Sequence, residues 1–218
     1  MPKGVIVVLC ILWPAGVAGA GLELLGQGGT PTSGPQMQTT MLYQGDLIPE
    51  YGVGCSTGGG LTGGPNAVAV RVTAANTPPF SVTSHFYNLY TQVAPHITAL
   101  SFVCWRGTVA PGSTIGRQAG IPWTQGSHTV AISPPITVDE RRFFFGQIQP
   151  QTDVGLRWGV DSGPSAGKSF IRASACGVSS FVTLDSIGFP GNWCMAVSVG
   201  GTTPTELQSW GSIKASFK

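Results

Sequence analysis

The sequence predicts an all-β protein, an antiparallel β-sandwich with jelly-roll-like connections. First, only 9% of the 218 residues are charged, whereas the turn formers are plentiful, with Gly 32 and Pro 17. Second, apolar and polar residues alternate with a period of two in several runs, as in strands with one buried face. Third, turn signals separate these runs at short intervals, and no convincing amphipathic helix occurs before Pro204.

The N-terminus has the parts of a secretory signal peptide, predicted as a signal helix over residues 1–20. Lys3 supplies the positive charge, an apolar run follows, and residues 18–20 (Ala-Gly-Ala) offer the small side chains of a cleavage site. Pro14 interrupts the run, which is shorter than the roughly 20 residues of a membrane span. We therefore expect a secreted or cell-surface protein that contacts the membrane only through this segment, before its cleavage.

The rest of the chain divides into three parts. Residues 21–39 are poor in apolar side chains and are expected to form a flexible leader. Residues 40–200 are expected to form the sandwich domain. Residues 201–218 form a C-terminal tail, in which large apolar residues recur at helical spacing.

Several runs within the domain have the alternation of strands. In residues 66–73, the valines at 68, 70 and 72 share one face. In the next run, Phe80, Val82, Ser84 and Phe86 share a face, which places His85 on the polar side. We read residues 109–126 as a long connection and Pro134-Pro135 as a turn. Further strands are expected at residues 40–44, 97–105, 127–132, 136–138, 143–148, 154–160, 169–173 and 192–199.

The cysteines indicate disulfides. Cleavage of the signal peptide leaves Cys55, Cys104, Cys176 and Cys194, and an even set in an exported chain is typical of two bridges. Three connectivities are possible. Because Cys176 and Cys194 flank one long connection, we expect them to pair with each other and Cys55 to pair with Cys104.

Two stretches resemble a known kind of module. The first is Asn66-Ala67-Val68-Ala69-Val70-Arg71-Val72-Thr73 with the Pro-Pro-Phe turn after it. The second is Phe143-Phe144-Phe145-Gly146-Gln147, leading to Val154-Gly155-Leu156 and Gly191-Asn192-Trp193. They resemble a poorly characterised jelly-roll β-sandwich module of exported bacterial proteins, over residues 42–199. The tail motif Trp-Gly-x-Ile-Lys, at 210–214, resembles endings of such proteins. The resemblance implies the fold and export, and it brings no catalytic residues.

Two short motifs resemble catalytic or nucleotide-binding loops without their context. Residues 54–58 match G-x-S-x-G, but a glycine run follows where a nucleophile elbow needs a helix, so Ser56 is not expected to be catalytic. Gly167-Lys168-Ser169 resembles the end of a phosphate-binding loop, but the preceding glycine is out of register. We read it as a turn with a solvated Lys168.

Metal-binding residue types are dispersed along the chain. No histidine has a close ligand neighbour in the sequence, and we expect all three at the surface or in loops: His85, His96 and His128. The candidate calcium oxygens are also scattered, at Asp139, Glu140, Asp153, Asp161 and Asp185. The sequence therefore assigns no metal site, no cofactor and no catalytic residue.

The remaining candidate site is aromatic. Trp123 lies in a Gly/Pro-rich loop, and Trp105, Arg106, Tyr87 and Arg157 lie at or near strand ends. Aromatic faces beside polar groups suit stacking on sugars or anchoring a protein. We therefore expect a non-enzymatic binding module for a glycan or a cell-surface protein. The alternatives are a self-assembling surface component and a hydrolase accessory domain. A net charge of +2 argues against nucleic acid as a partner.

Overall fold

The computed structural model describes residues 38–55, 66–92, 100–150 and 156–201. The predicted signal peptide, residues 21–37 of the leader and the tail after residue 201 lie outside the described residues, as do His96 and Asp153. In the described part, no helix combines the length and the apolar composition that a membrane crossing requires.

The described chain is built from strands and two short 3-10 turns, Ser174–Cys176 and Asp185–Ile187. The strands are β1 (Gln38–Tyr43), β2 (Tyr51–Val53), β3 (Asn66–Thr73), β4 (Phe80–Gln92), β5 (Leu100–Trp105), β6 (Thr114–Ile121), β7 (Gly126–Val138), β8 (Arg142–Gln149), β9 (Leu156–Asp161), β10 (Ser169–Ala173), β11 (Val178–Thr183), β12 (Asn192–Trp193) and β13 (Met195–Gly201).

These strands form two antiparallel sheets. A seven-stranded sheet has the order β1-β13-β4-β9-β12, with β2 paired to β9 and β7 paired to β4. A six-stranded sheet has the order β11-β10-β3-β8-β5-β6. From β3 to β5 and again from β6 to β10, successive strands belong to opposite sheets. The sheets share a core between them, so the predicted antiparallel sandwich is confirmed.

The bounds of two predicted strands are confirmed without change, those of β3 and β10. In β3 the residues Val68, Val70 and Val72 enter the core between the sheets, because alternate side chains of a strand point to one face. On the opposite face of the same strand, Ala69 packs into a separate cluster.

The predicted alternation of β4 is wrong after Val82, because the strand contains a bulge. On the β13 side, Val82 pairs with Val199 and Ser84 pairs with Ser198, so Thr83 is an extra residue of β4. On the β7 side, residues 132–135 lie opposite Thr83. A bulge shifts the alternation of a strand by one residue. His85 and Tyr87 consequently point into the core and are fully buried.

The predicted connection over residues 109–126 contains β6, and Pro134-Pro135 is not a turn. Both prolines lie inside β7, in the stretch opposite the β4 bulge, and the Ser133–Pro134 bond is cis. Proline lacks the amide donor of a ladder, and bulges are among the positions where a sheet accepts it.

A second, smaller cluster covers the outer face of the six-stranded sheet. It contains Ala69, Val103, Trp105, Phe144 and Phe170, with Ala110 and Phe181 packed against it. The run 143–145 is fully buried because its middle ring enters this cluster while the outer two enter the main core. The same division explains why β5 is apolar on both faces.

The predicted disulfide pairing is wrong. Cys55 is bonded to Cys176, across a sequence separation of 121 residues, and Cys104 and Cys194 are free and buried. Cys104 faces the main core from β5, whereas Cys194 lies between β12 and β13 of the other sheet. The observed bridge joins the end of β2 to the 3-10 turn after β10, and so connects the two sheets. A bridge of this kind stabilises a domain by roughly 2–4 kcal/mol.

Candidate functional site

Two of the predicted ligand-binding aromatics are unavailable to a ligand. Tyr87 is fully buried, stacks between His85 and His128, and donates its hydroxyl to the Pro122 carbonyl. Trp105 is 4% exposed and packs edge-on against Phe181. Both rings are part of the packing, because the bulge in β4 and the outer cluster enclose them.

The other three predicted site residues are not brought together with these rings. Trp123 is half-buried and packs against the main core, so it does not stand free in its loop as expected. Arg106 forms a two-point ion pair with Asp139, at 2.8 and 2.9 Å, and a second pair with Glu140 at 3.1 Å. Arg157 is half-buried on β9. Ligand binding by these three residues stays a prediction.

A cleft opens instead beside the edge strand β1, and we call it the edge cleft. It has a volume of about 200 Å³ and is largely open to solvent. Its walls come from β1 and the residue after it, from the end of β3, and from the turn before β10: Met41, Leu42, Tyr43, Gln44, Val72, Thr73 and Lys168.

The apolar wall of the edge cleft faces outward. Leu42 packs against the main core, so its neighbours on β1 point away from it. Met41 is 52% exposed and Tyr43 is 47% exposed. An exposed aromatic ring on a rigid strand has the shape and polarity to stack on a sugar ring.

The polar wall of the edge cleft is held by the backbone. The Gln44 side chain donates to the Arg71 carbonyl at 3.5 Å, and the Arg71 amide donates to the Lys168 carbonyl at 2.8 Å. Lys168 follows Gly167, whose φ of +60° makes the turn into β10. The side chain of Lys168, expected to be solvated, is half-buried and lines the cleft.

A cluster of three carboxylates lies at the end of β9. Carboxylate oxygens of Asp46, Glu50 and Asp161 lie within 4.8 Å of one another. Asp161 accepts the amides of Asp46, at 3.0 Å, and Gly163, at 2.6 Å; Glu50 accepts the amide of Ser162 at 2.7 Å. Oxygen ligands of this type suit calcium, which takes six to eight of them. The hydrogen bonds from the backbone amides hold the loop between β1 and β2 against the end of β9.

The loop held by these carboxylates has an unusual backbone. Gly45 has a φ of +70°, and a Cβ at this position would lie 1.8 Å from Asp161 Oδ2. Leu47 has a φ of +66°, which is unfavourable for a residue with a side chain. Asp161 is among the calcium ligands considered from the sequence, whereas Asp46 and Glu50 are not, because only the folded loop brings them to β9.

Three other candidate calcium ligands, which lie in the described part of the chain, have partners elsewhere. Asp139 and Glu140 pair with Arg106, and Asp185 accepts a hydrogen bond from Ser165 at 2.8 Å. Arg106 lowers the pKa of Asp139, mainly through the hydrogen bond between them.

His85 takes part in a polar chain inside the core. Its Nδ1 donates to the Ala196 carbonyl at 3.1 Å, and its Nε2 accepts from the Gln147 side chain at 3.0 Å. The Gln147 oxygen accepts the indole N–H of Trp158 at 2.6 Å. Burial lowers the pKa of His85 to about 3, so the ring is neutral. The expectation of a surface histidine is therefore wrong.

Burial also keeps the two free thiols protonated. It raises the pKa of Cys104, and it raises the pKa of Cys194 to about 12, with further contributions from Asp161, Glu50 and Asp46. A thiol reacts as a thiolate, so neither side chain is a nucleophile near neutral pH.

Comparisons with known proteins bear on the fold. No protein-family model and no curated protein matches the chain. Among solved structures, the chain is similar to the cysteine protease and lectin-like domains of Cwp84, a surface layer associated protein of Clostridium difficile. The TM-score is 0.56 at 9% identity, over 74% of this chain and 36% of that one. The chain thus spans about a third of that structure, and the likeness shows a shared fold.

Proposed function

We propose that this domain is a non-enzymatic binding module of an extracellular or cell-surface protein, and that it binds glycan chains in the edge cleft. The observation that carries the proposal is the exposed Tyr43 ring beside the hydrogen-bonding side chains of Gln44 and Thr73. Lectin and sugar sites combine an apolar face with a few polar groups in this way.

Three further observations support the proposal. The Cys55–Cys176 bridge suits an oxidising compartment, as does the predicted signal peptide. The structural neighbour is described as having a lectin-like domain and as associated with a surface layer. Both ring nitrogens of His85 are engaged by internal partners, and the thiols of Cys104 and Cys194 are buried and protonated, which argues against catalysis by these groups.

Binding of the full chain to a glycan array, followed by calorimetry on the best ligand, tests this function. Tyr43→Ala should weaken binding at least about tenfold, the loss of a contact worth roughly 1.4 kcal/mol. Val109→Ala is the matched control, because Val109 is also apolar and 74% exposed but does not line the cleft. Equal affinities for wild type and Tyr43→Ala would reject the edge cleft as the site.

The self-assembling surface component remains the second candidate. β1 is an end strand of its sheet, and Met41 and Tyr43 extend from it into solvent, as at an edge that pairs with another copy. Size-exclusion mass of the same two variants separates the candidates. Assembly through β1 predicts that Tyr43→Ala lowers the mass while Val109→Ala leaves it unchanged.

A further inference from the structure

The edge cleft has one charged group in its wall. Of the seven lining residues, Lys168 is the charged one, and the rest are apolar, amide or hydroxyl side chains. The two ion pairs of the described residues both involve Arg106, so Lys168 has no carboxylate within ion-pair distance in the described part of the chain. Within the described part of the chain, the wall of the cleft therefore holds a positive charge without an ionic partner.

The backbone of the turn that carries Lys168 is fixed by hydrogen bonds. The Lys168 carbonyl accepts the Arg71 amide, and the next residue, Ser169, is buried and accepts the Trp193 amide at 2.9 Å. The backbone of Lys168 is thus held on both sides, and the residue is half-buried. A partly buried charge is screened by salt less than a fully exposed one.

We propose that the edge cleft binds acidic saccharides, sugars that carry a carboxylate or sulfate group, and that Lys168 pairs with this anionic group. The inference depends on the glycan-binding function proposed above and names its ligand class. Charge complementarity selects this occupant, because the described residues that line the cleft include no negative group to repel an anion, and a neutral sugar leaves the ammonium unpaired.

Matched ligand pairs test the inference on the full chain. One pair is an oligogalacturonate and its methyl ester of equal length; a second is a sulfated galactan oligosaccharide and its desulfated form. Wild type should bind at least one acidic member about tenfold or more tightly than its neutral partner, and raising the salt should weaken only the acidic complex. The two pairs distinguish a carboxylate ligand from a sulfate ligand.

Variants of Lys168 test whether this residue causes the preference for the acidic ligand over its neutral partner. Lys168→Ala should bring the acidic and neutral affinities within about twofold, Lys168→Arg should retain the preference, and thermal melting should show that both variants fold. Arg117→Ala is the control of equal charge change, since Arg117 is exposed on β6, three positions from β3 in the order of the six-stranded sheet, and does not line the cleft. It should leave the preference unchanged.

Two failures are distinguishable. Binding that depends on Tyr43 but is equal for acidic and neutral partners overturns the acidic-sugar inference and leaves the glycan function standing. Absence of binding to both pairs and to every member of the array overturns the glycan function and the inference together.

Discussion

At the scale of the residue, His85 is a basic group in an environment without a counter-charge. Its ring contacts Tyr87 on its own strand, Phe102 on β5, Phe145 and Gln147 on β8, and the Ala196 carbonyl on β13. Tyr87 is the titratable group among these contacts, and burial raises its pKa, so it stays neutral as well. A proton on His85 would therefore be a buried charge without an ionic partner.

This environment predicts acid sensitivity of the fold. The pKa of His85 is about 3 when folded and about 6.5 when unfolded, so the unfolded chain binds the proton more tightly. The stabilising effect of the neutral ring is complete above pH 6.5 and is lost as the pH falls from 6.5 towards 3. Between pH 6.5 and 3, lowering the pH should reduce the free energy of unfolding more steeply in wild type than in His85→Gln. The two slopes should differ by up to about 1.4 kcal/mol per pH unit. Urea denaturation at several pH values measures this difference, and equal slopes would contradict it.

His85 and Lys168 show why site residues were hard to predict. Both surroundings depend on distant contacts. A bulge in β4 turns His85 inward, and the hydrogen bond from the Arg71 amide to the Lys168 carbonyl brings the turn before β10 to the cleft beside β1. The aromatic residues can be recognised in the sequence, but their exposure cannot. Tyr87 and Trp105, which are buried, were therefore predicted as ligand-binding residues, and Tyr43 was not.

At the scale of the element, strands were predictable where large apolar side chains alternate with small or polar ones and the partner strands are regular. β3 has this character, and its bounds follow from the alternation of its valines. β6 does not, because only Ile121 of its eight residues is buried and the pattern lacks an apolar face. β6 is a strand because it pairs with β5, and the residues of β6 alone do not predict that pairing.

The loop between β1 and β2 is an element whose conformation depends on one buried carboxylate. Asp161→Ala removes the acceptor of the Asp46 and Gly163 amides, and should lower the free energy of unfolding by about 1–3 kcal/mol. The same change should expose the bond before Leu47 or Ile48 to thermolysin. Asp185→Ala, which alters an exposed carboxylate, is the control for both measurements. An unchanged digestion pattern in Asp161→Ala would show that the loop is held by other contacts.

At the scale of the whole molecule, polar contacts join the two sheets inside an apolar core. Gln147 of the six-stranded sheet bonds to His85 and Trp158 of the other sheet. Near β12, the Trp193 indole donates to the Phe170 carbonyl at 2.9 Å. Because an unpaired buried polar group costs free energy, these contacts favour one alignment of the sheets over others.

The cysteine pairing is the whole-molecule feature that sequence reasoning predicted wrongly. Cysteine order in the chain does not report which strand ends meet when successive strands alternate between sheets. Alkylation of the folded protein at pH 8 should leave Cys104 and Cys194 unmodified, since both are buried and the pKa of Cys194 is about 12. After unfolding without reductant, both should be alkylated, and peptide mapping should recover Cys55 linked to Cys176. A peptide linking Cys104 to another cysteine would contradict this arrangement.

The Cys55–Cys176 bond also turns most of the domain into a covalent ring, since β3 to β10 lie between its two ends. A single peptide bond cut anywhere in that ring leaves the fragments tied together, with their strands still interleaved in both sheets. Outside a cell, where peptidases are common, a nicked copy of this molecule keeps its pieces, and with them the walls on either side of the edge cleft.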